Sequence, residues 1–103
     1  MKAVHLVPAG SFTWSAHSIT IFSDILNDEI LIYQFNGELR AVSSFCPHFG
    51  GPLEYKDKSL SCYWHGWRFD PETFVCTNHE VNCKVKSYSV IETDRGLEIS
   101  DVS

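Results

Sequence analysis

The stretch EILIYQFNGELRAVSS, residues 29–44, contains two apolar-patterned runs separated by Asn36 and Gly37. Its first run is rich in β-branched and aromatic residues, which favour strands. Asn-Gly between two such runs is the strongest short-range signal for a β-hairpin, because both central residues of a type I′ turn need positive φ. The stretch therefore predicts two paired strands, over residues 29–35 and 38–44.

Strand-like patterns continue on both sides of this hairpin. They cover residues 1–7, 18–22, 59–61, 85–91 and 97–99, with turn residues at 8–10 and 94–96. No segment has apolar residues at helical spacing over ten or more positions. We expect an all-β protein of seven to ten short strands, a sandwich or small barrel with an inserted lobe of loops.

Length and composition restrict the class of protein. With 103 residues, 44% of them hydrophobic and 20% charged, the chain fits one soluble globular domain over residues 1–103. Residues 1–10 lack a secretory leader, and no apolar run approaches the roughly 20 residues of a membrane span, so we expect a cytoplasmic location and no membrane partner. A net charge of −5 without a basic cluster disfavours nucleic acid. The acidic balance suits a basic patch on a protein partner, although it also simply aids solubility.

Two short blocks carry the candidate chemistry, CPHFGGPL at residues 46–53 and CYWHGWRFD at residues 62–70. Each supplies one cysteine and one histidine, which gives the candidate ligands Cys46, His48, Cys62 and His65. Thiolate and imidazole are the donors that soft and borderline transition metals prefer. Spacing alone leaves three possibilities. The first, which is disfavoured, is a chance arrangement of two buried cysteines and two surface histidines. The second is one zinc ion held by all four side chains, and the third is a 2Fe-2S cluster with one iron on the two cysteines and the other on the two histidines.

The residues between the ligands favour the cluster. Gly50, Gly51 and Gly66 would let the backbone approach bridging sulfides and turn N–H groups toward them. Apolar bulk around the blocks would lower the dielectric at a redox centre and exclude water. The aromatic residues expected to do so are Phe45, Phe49, Trp64, Trp67 and Phe69.

These two blocks resemble the paired boxes of the Rieske family. The resemblance implies an antiparallel β-sandwich base with a small inserted cluster-binding lobe, at about residues 45–76. It also implies that Cys46 and Cys62 bind the inner iron of a 2Fe-2S cluster, and that His48 and His65 bind the outer one.

Some positions depart from the high-potential members of that family. Their two boxes are joined by a disulfide, at positions that hold Gly51 and Trp64 here. They also place a Ser and a Tyr hydroxyl near the sulfurs, where this chain has Trp67 and Phe69. Hydrogen bonds to sulfur stabilise the reduced cluster, so we predict a reduction potential toward the low end of the span of about −150 to +300 mV.

The resemblance implies a soluble one-electron carrier that takes electrons from a flavoprotein reductase and passes them to a terminal, ring-hydroxylating oxygenase, without catalysis of its own. One alternative is the small Rieske subunit of a multi-subunit redox enzyme such as nitrite reductase. Another is a zinc-binding structural module. A complete oxygenase is disfavoured, since 103 residues leave no room for a second iron domain.

The segment after the second block is harder to interpret. Cys76 and Cys83 could form a disulfide, but two free thiols are favoured in a reduced cytosol. The segment between them lacks the proline that the resemblance implies in a cluster cover. His79 has no partner at metal-ligand spacing and is predicted to be a surface histidine.

Overall fold

The computed structural model describes residues 3–47, 50–64, 66–79 and 83–102. Nine strands and no helix lie within these residues, and every strand pairing is antiparallel, which confirms the all-β prediction. The strands are β1 Val4–Pro8, β2 Ser18–Ser23, β3 Asp28–Phe35, β4 Glu38–Ser43, β5 Leu53–Lys56, β6 Ser59–Cys62, β7 Arg68–Phe69, β8 Ser87–Thr93 and β9 Gly96–Asp101. In this described part of the chain, no helix is long and apolar enough to cross a membrane.

Six strands form the base, in the order β1-β9-β8-β4-β3-β2. Its two three-stranded halves are joined through β4 and β8, which pair at Ala41↔Tyr88 and Val42↔Ser87. Side chains from both halves form one apolar core, as expected for a sandwich. Its buried members are Val7, Ile30, Ile32, Ala41, Tyr88, Leu97 and Ile99.

The central hairpin has the predicted geometry. Phe35 pairs with Glu38, and the two turn residues Asn36 and Gly37 have φ of 52° and 76°. Both angles are in the left-handed region that a type I′ turn requires.

Strand β3 is buried on both faces, which explains its unbroken apolar run. Ile30 and Ile32 belong to the base core, whereas Leu31 and Tyr33 belong to a second core on the other side of the sheet. Successive side chains of a strand point to opposite faces, so β3 serves the two cores alternately.

The second core lies between the base and a small lobe, the sheet β5-β6-β7. Its buried members are Leu31, Tyr33, Val42, Cys46, Leu53, Leu60, Cys62, Phe69, Cys76 and Val85. Tyr33 fastens the lobe to the base: its hydroxyl donates to the Pro71 carbonyl at 2.5 Å, and its ring stacks on Tyr55 with centroids 4.7 Å apart. The predicted limits of the lobe, residues 45–76, stay a prediction.

Candidate metal centre

The two cysteines of the sequence blocks lie in the lobe core. Cys62 ends β6, and Cys46 follows the isolated bridge between Phe45 and Pro52. Each cysteine is only 2% exposed, and both belong to the same cluster of buried side chains. The structure therefore brings together the two thiols that the sequence predicts as ligands.

The two cysteines begin loops that share one hydrogen-bond pattern. In the first loop the Cys46 N–H donates to the Gly51 carbonyl and the Gly50 N–H donates to the Cys46 carbonyl, both at 2.7 Å. In the second, the Cys62 N–H donates to the Trp67 carbonyl at 2.7 Å and the Gly66 N–H to the Cys62 carbonyl at 3.0 Å. We call residues 46–51 the first loop and residues 62–67 the second loop.

The glycine four residues after each cysteine allows this turn. Gly50 has φ of 74° and Gly66 has φ of 68°, both left-handed values that side chains disfavour. Their N–H groups are used within the loop, on the cysteine carbonyls. The prediction that these two glycines direct N–H groups at sulfides is therefore wrong: they close the loops.

Gly51 has a different role, because it lies against the second loop. A Cβ on Gly51 would lie 2.9 Å from Cε3 of Trp64, 3.0 Å from its Cδ2 and 3.3 Å from Sγ of Cys62. The Tyr63 N–H also donates to the carbonyl of Pro52, the residue after the first loop, at 3.0 Å. At the two positions where a disulfide would stand in the high-potential proteins that the two blocks resemble, this chain has a tryptophan ring packed on a glycine.

His48, His65 and Phe49 lie outside the described residues, so their predicted roles stay predictions. Within the described residues no group of three or more His, Cys, Asp or Glu side chains is positioned to hold a metal ion. Cys46 and Cys62 are both buried in the lobe core, which suits thiolates that hold a metal group, and their assignment as ligands stays a prediction.

The aromatic residues around the loops divide into two groups. Phe69 is fully buried in the lobe core, and Trp67 packs against that core, as predicted. Phe45 and Trp64, in contrast, are 46% and 62% exposed, and Tyr63 is 75% exposed. The expectation that Phe45 and Trp64 enclose the centre is therefore wrong: they form part of an exposed apolar surface beside the cysteines.

A third segment, residues 76–79, packs against the second loop. The Asn78 side chain accepts from the Arg68 N–H and donates to the Gly66 carbonyl, both at 2.9 Å. The His79 ring stacks on Trp67 with centroids 4.2 Å apart and planes inclined by 22°. Neither contact was predicted from the sequence. His79 is exposed, as expected for a surface histidine.

Cys76 and Cys83 lie next to each other without a disulfide. The Cys76 N–H donates to the Cys83 carbonyl at 2.9 Å, and both side chains are free thiols, the alternative that the sequence favours. Burial, together with the neighbouring Cys76, raises the pKa of the Cys83 thiol. This thiol therefore stays protonated to a higher pH than an ordinary one.

The turn after β7 is stabilised by one carboxylate. Asp70 Oδ1 accepts from the Glu72 and Thr73 N–H groups at 2.7 and 2.9 Å. The Thr73 and then the Glu72 N–H groups lower the pKa of Asp70. The turn places the Pro71 carbonyl where Tyr33 reaches it.

Comparison with known proteins identifies the class of centre. The family profile of the Rieske [2Fe-2S] domain matches residues 12–89. The chain therefore belongs to the Rieske 2Fe-2S family, whose cofactor is a 2Fe-2S cluster. Two buried thiols on adjoining loops fit the thiolate half of that ligand set, and the zinc alternative is superseded.

The proteins that this chain resembles differ in length, and the chain matches all of some and only a part of others. Cholesterol 7-desaturase nvd of Xenopus laevis is 28% identical over 101 residues, which cover 93% of this chain and 20% of that protein. The ferredoxin of carbazole 1,9a-dioxygenase from Nocardioides aromaticivorans has a TM-score of 0.71 at 18% identity, and the match covers 99% of this chain and 100% of that one. A chain of the reduced complex between oxygenase and ferredoxin in carbazole 1,9a-dioxygenase has a TM-score of 0.74 at 20% identity, over 94% of this chain and 28% of that one.

These structural matches confirm the Rieske fold that the sequence predicts. The chain spans about a fifth of the length of the curated relatives it matches.

Proposed function

We propose that this chain carries one electron at a time from a flavoprotein reductase to a terminal oxygenase. One observation carries the proposal: Cys62 is 2% exposed, yet the next two residues, Tyr63 and Trp64, are 75% and 62% exposed. A cluster held by the buried thiol would lie just beneath an apolar surface on which a redox partner could dock.

In this proposal the ligands are those of the two blocks. Cys46 and Cys62 bind the inner iron, and His48 and His65 bind the outer one. The cluster supplies one-electron redox chemistry. With two ferric ions, two sulfides, two thiolates and two neutral imidazoles the oxidised centre is neutral, so the added electron gives it a charge of −1 and favours the iron with neutral protein ligands.

The structural neighbours support a carrier. The carbazole dioxygenase ferredoxin is matched over its whole length, and another matched structure is of an oxygenase in complex with its ferredoxin. In this role the chain would have no catalysis of its own. A cytoplasmic location stays a prediction.

A second candidate is the electron-transfer domain of a larger enzyme. It is favoured by the curated relatives, two cholesterol 7-desaturases of which this chain spans 20% and 17%. The small subunit of a multi-subunit redox enzyme such as nitrite reductase belongs to the same class of explanation. In either case the native protein would be found attached to, or copurifying with, a catalytic unit.

The test is a reductive titration of the purified chain, followed by rapid mixing. We expect two irons and two sulfides per chain, uptake of one electron, reduction by a flavoprotein reductase and reoxidation by an oxygenase. A colourless protein with one zinc would contradict the cluster. Correct cluster content without electron exchange with either partner, together with a native protein much larger than this chain, would favour the second candidate.

The ligand assignment has its own test. Replacing His48 with Cys adds a negative thiolate to the centre, so the reduction potential should fall. The matched control is His17→Cys, at an exposed position in the base. An unchanged potential in the His48 variant, with the cluster retained, would contradict the assignment.

A further inference from the structure

The two loops are supported in different ways. The first loop is closed at its base by the Leu53 N–H, which donates to the Ser44 carbonyl at 2.8 Å, and by the bridge between Phe45 and Pro52. The second loop returns through β7, which is only two residues long. Within the described residues the strand paired with β7 is β6, so the other edge of β7 needs a further neighbour.

Residues 76–79 lie along that edge. The Thr77 N–H donates to the Arg68 carbonyl at 2.9 Å, and Phe69 forms an isolated bridge with Cys76. Cys76 and Thr77 thus lie beside β7 as a short additional neighbour in the sheet.

Asn78 extends this pairing with its side chain. Its Oδ1 accepts from the Arg68 N–H and its Nδ2 donates to the Gly66 carbonyl, so one amide bonds the backbone on both sides of Trp67. The Cys76 thiol also donates to Oδ1, at 3.7 Å. A side-chain amide with both its donor and its acceptor engaged holds the chain in one register, as a peptide group would.

His79 completes the contact from the side. Its ring is stacked on the indole of Trp67, and the backbone carbonyl of Trp67 accepts the Cys62 N–H. The stack therefore helps to hold in place the residue whose carbonyl closes the second loop. His79 is exposed, and its stacked ring covers one face of the Trp67 indole.

We propose that Asn78 and His79 form a latch that positions the second loop around the cluster and limits the access of water to it. The inference rests on the cofactor in the proposed function, but not on the identity of either redox partner. Asn78 and His79 are positioning residues: Asn78 acts through the backbone of Gly66 and Arg68, and His79 acts through Trp67.

The direction of the effect follows from charge. The oxidised centre is neutral and the reduced centre carries −1, so water that enters an opened loop stabilises the reduced form more than the oxidised one. Loss of the latch should therefore raise the reduction potential and speed the loss of iron.

The experiment compares Asn78→Ala, His79→Ala and His79→Phe in the cluster-loaded protein. Both alanine variants should raise the ratio of reduced to oxidised cluster at fixed poise by about threefold, equivalent to about 28 mV for one electron. Both should also release iron to a chelator several-fold faster. His79→Phe keeps a ring on Trp67 and should restore wild-type values, so a charge effect of the imidazole is separated from stacking. The matched control is Thr93→Ala, which removes side-chain hydrogen bonds in the β8–β9 turn of the base.

Hydrogen exchange of the peptide spanning residues 62–69 gives a readout that needs no electron transfer. It should become faster in both alanine variants and stay unchanged in Thr93→Ala. Wild-type potential, iron release and exchange in both alanine variants would overturn the latch. A wild-type chain that holds no 2Fe-2S cluster would instead refute the proposed function, while faster exchange of residues 62–69 would still report the latch.

Discussion

The base and the lobe are both antiparallel sheets, but they are held together differently. In the base, β2 and β3 share six paired residues, as do β8 and β9, and the core between the halves is made chiefly of aliphatic side chains. In the lobe, β5 and β6 share four residue pairs, β6 and β7 share two, and the core includes three cysteines.

This difference indicates where stability comes from in each region. Long ladders and the burial of aliphatic side chains stabilise the base without a metal group. Short strands cannot do so, and the lobe depends on specific attachments: the proposed metal ligands, the Gly51–Trp64 contact and the Tyr33 hydroxyl. Changes at those attachments should therefore affect the lobe and spare the base.

Removing a proposed thiolate ligand should have the largest effect. Cys46→Ala and Cys62→Ala should each abolish cluster binding, measured as iron per chain and visible absorbance. Amide exchange should become fast in β5–β7 and stay slow in β8 and β9, because only the lobe relies on the metal. Cys83→Ala is the control and should keep its iron. Full iron content in either ligand variant would remove that cysteine from the ligand set.

Adding a methyl group at Gly51 should have the next largest effect. Gly51→Ala places a carbon within 2.9 Å of the Trp64 ring and should lower the free energy of unfolding by about 1–3 kcal/mol in urea titrations. Trp64→Ala in the same chain should recover much of that loss.

Gly50→Ala is the matched control for this pair. No atom lies within 4 Å of a Cβ at Gly50, but its φ of 74° costs an L-residue about 1–2 kcal/mol. Trp64→Ala should not relieve that cost. Equal relief at both glycines would mean that Gly51 does not pack on Trp64.

One hydrogen bond between base and lobe can be removed by deleting a single atom, the hydroxyl oxygen of Tyr33. Tyr33→Phe leaves the Pro71 carbonyl without its donor and should cost about 1–3 kcal/mol, lowering Tm by roughly 4–8 °C per kcal/mol. Tyr88→Phe is its counterpart in the base, where the hydroxyl donates to Asp28 at 2.7 Å. Hydrogen exchange in β5–β7 should rise in the Tyr33 variant only; a rise in both would indicate that the regions unfold together.

The smallest expected effect is on the pH dependence of stability. Burial raises the pKa of Tyr33 and of Tyr88, and the Asp28 carboxylate raises that of Tyr88 further. In the unfolded chain tyrosine loses its proton near pH 10. Above that pH the unfolded state binds fewer protons than the folded state, so stability is full below about pH 10 and falls as the pH rises.

At pH 10.5 each tyrosine should lower the free energy of unfolding by about 0.8 kcal/mol. Urea titrations at pH 8 and pH 10.5 would measure it. The double variant Tyr33→Phe/Tyr88→Phe should lose less stability between these pH values than the wild type. An equal loss in both proteins would show that other groups are responsible.

Local patterns predicted the base well, because its strands are long and its hairpins are formed by neighbours in sequence. The β3–β4 turn follows from Asn36 and Gly37 alone. Strands β5 and β7 were not predicted: they have four and two residues, and the β5–β6 turn uses Asp57 and Lys58 at φ of 51° and 59°. Neither is a glycine, so the turn carries little signal.

The site was predicted unevenly for a similar reason. The spacing of cysteine and histidine indicates a ligand set, and a family pattern extends it. The contacts of Asn78 and His79 join residues ten or more positions apart and follow no repeating pattern, so only the folded backbone reveals them. The glycines were recognised as special, but their hydrogen bonds could not be deduced without the loop geometry.

Because β3 is buried on both faces, its pairing register decides which of its side chains enter each of the two cores. A slip of one residue would send Leu31 and Tyr33 into the base core and Ile30 and Ile32 toward the lobe. The Tyr33 hydroxyl would then lose the Pro71 carbonyl, and the lobe would lose its fastening in the same step. Correct pairing of β3 therefore also determines how the lobe that holds Cys46 and Cys62 is attached to the base.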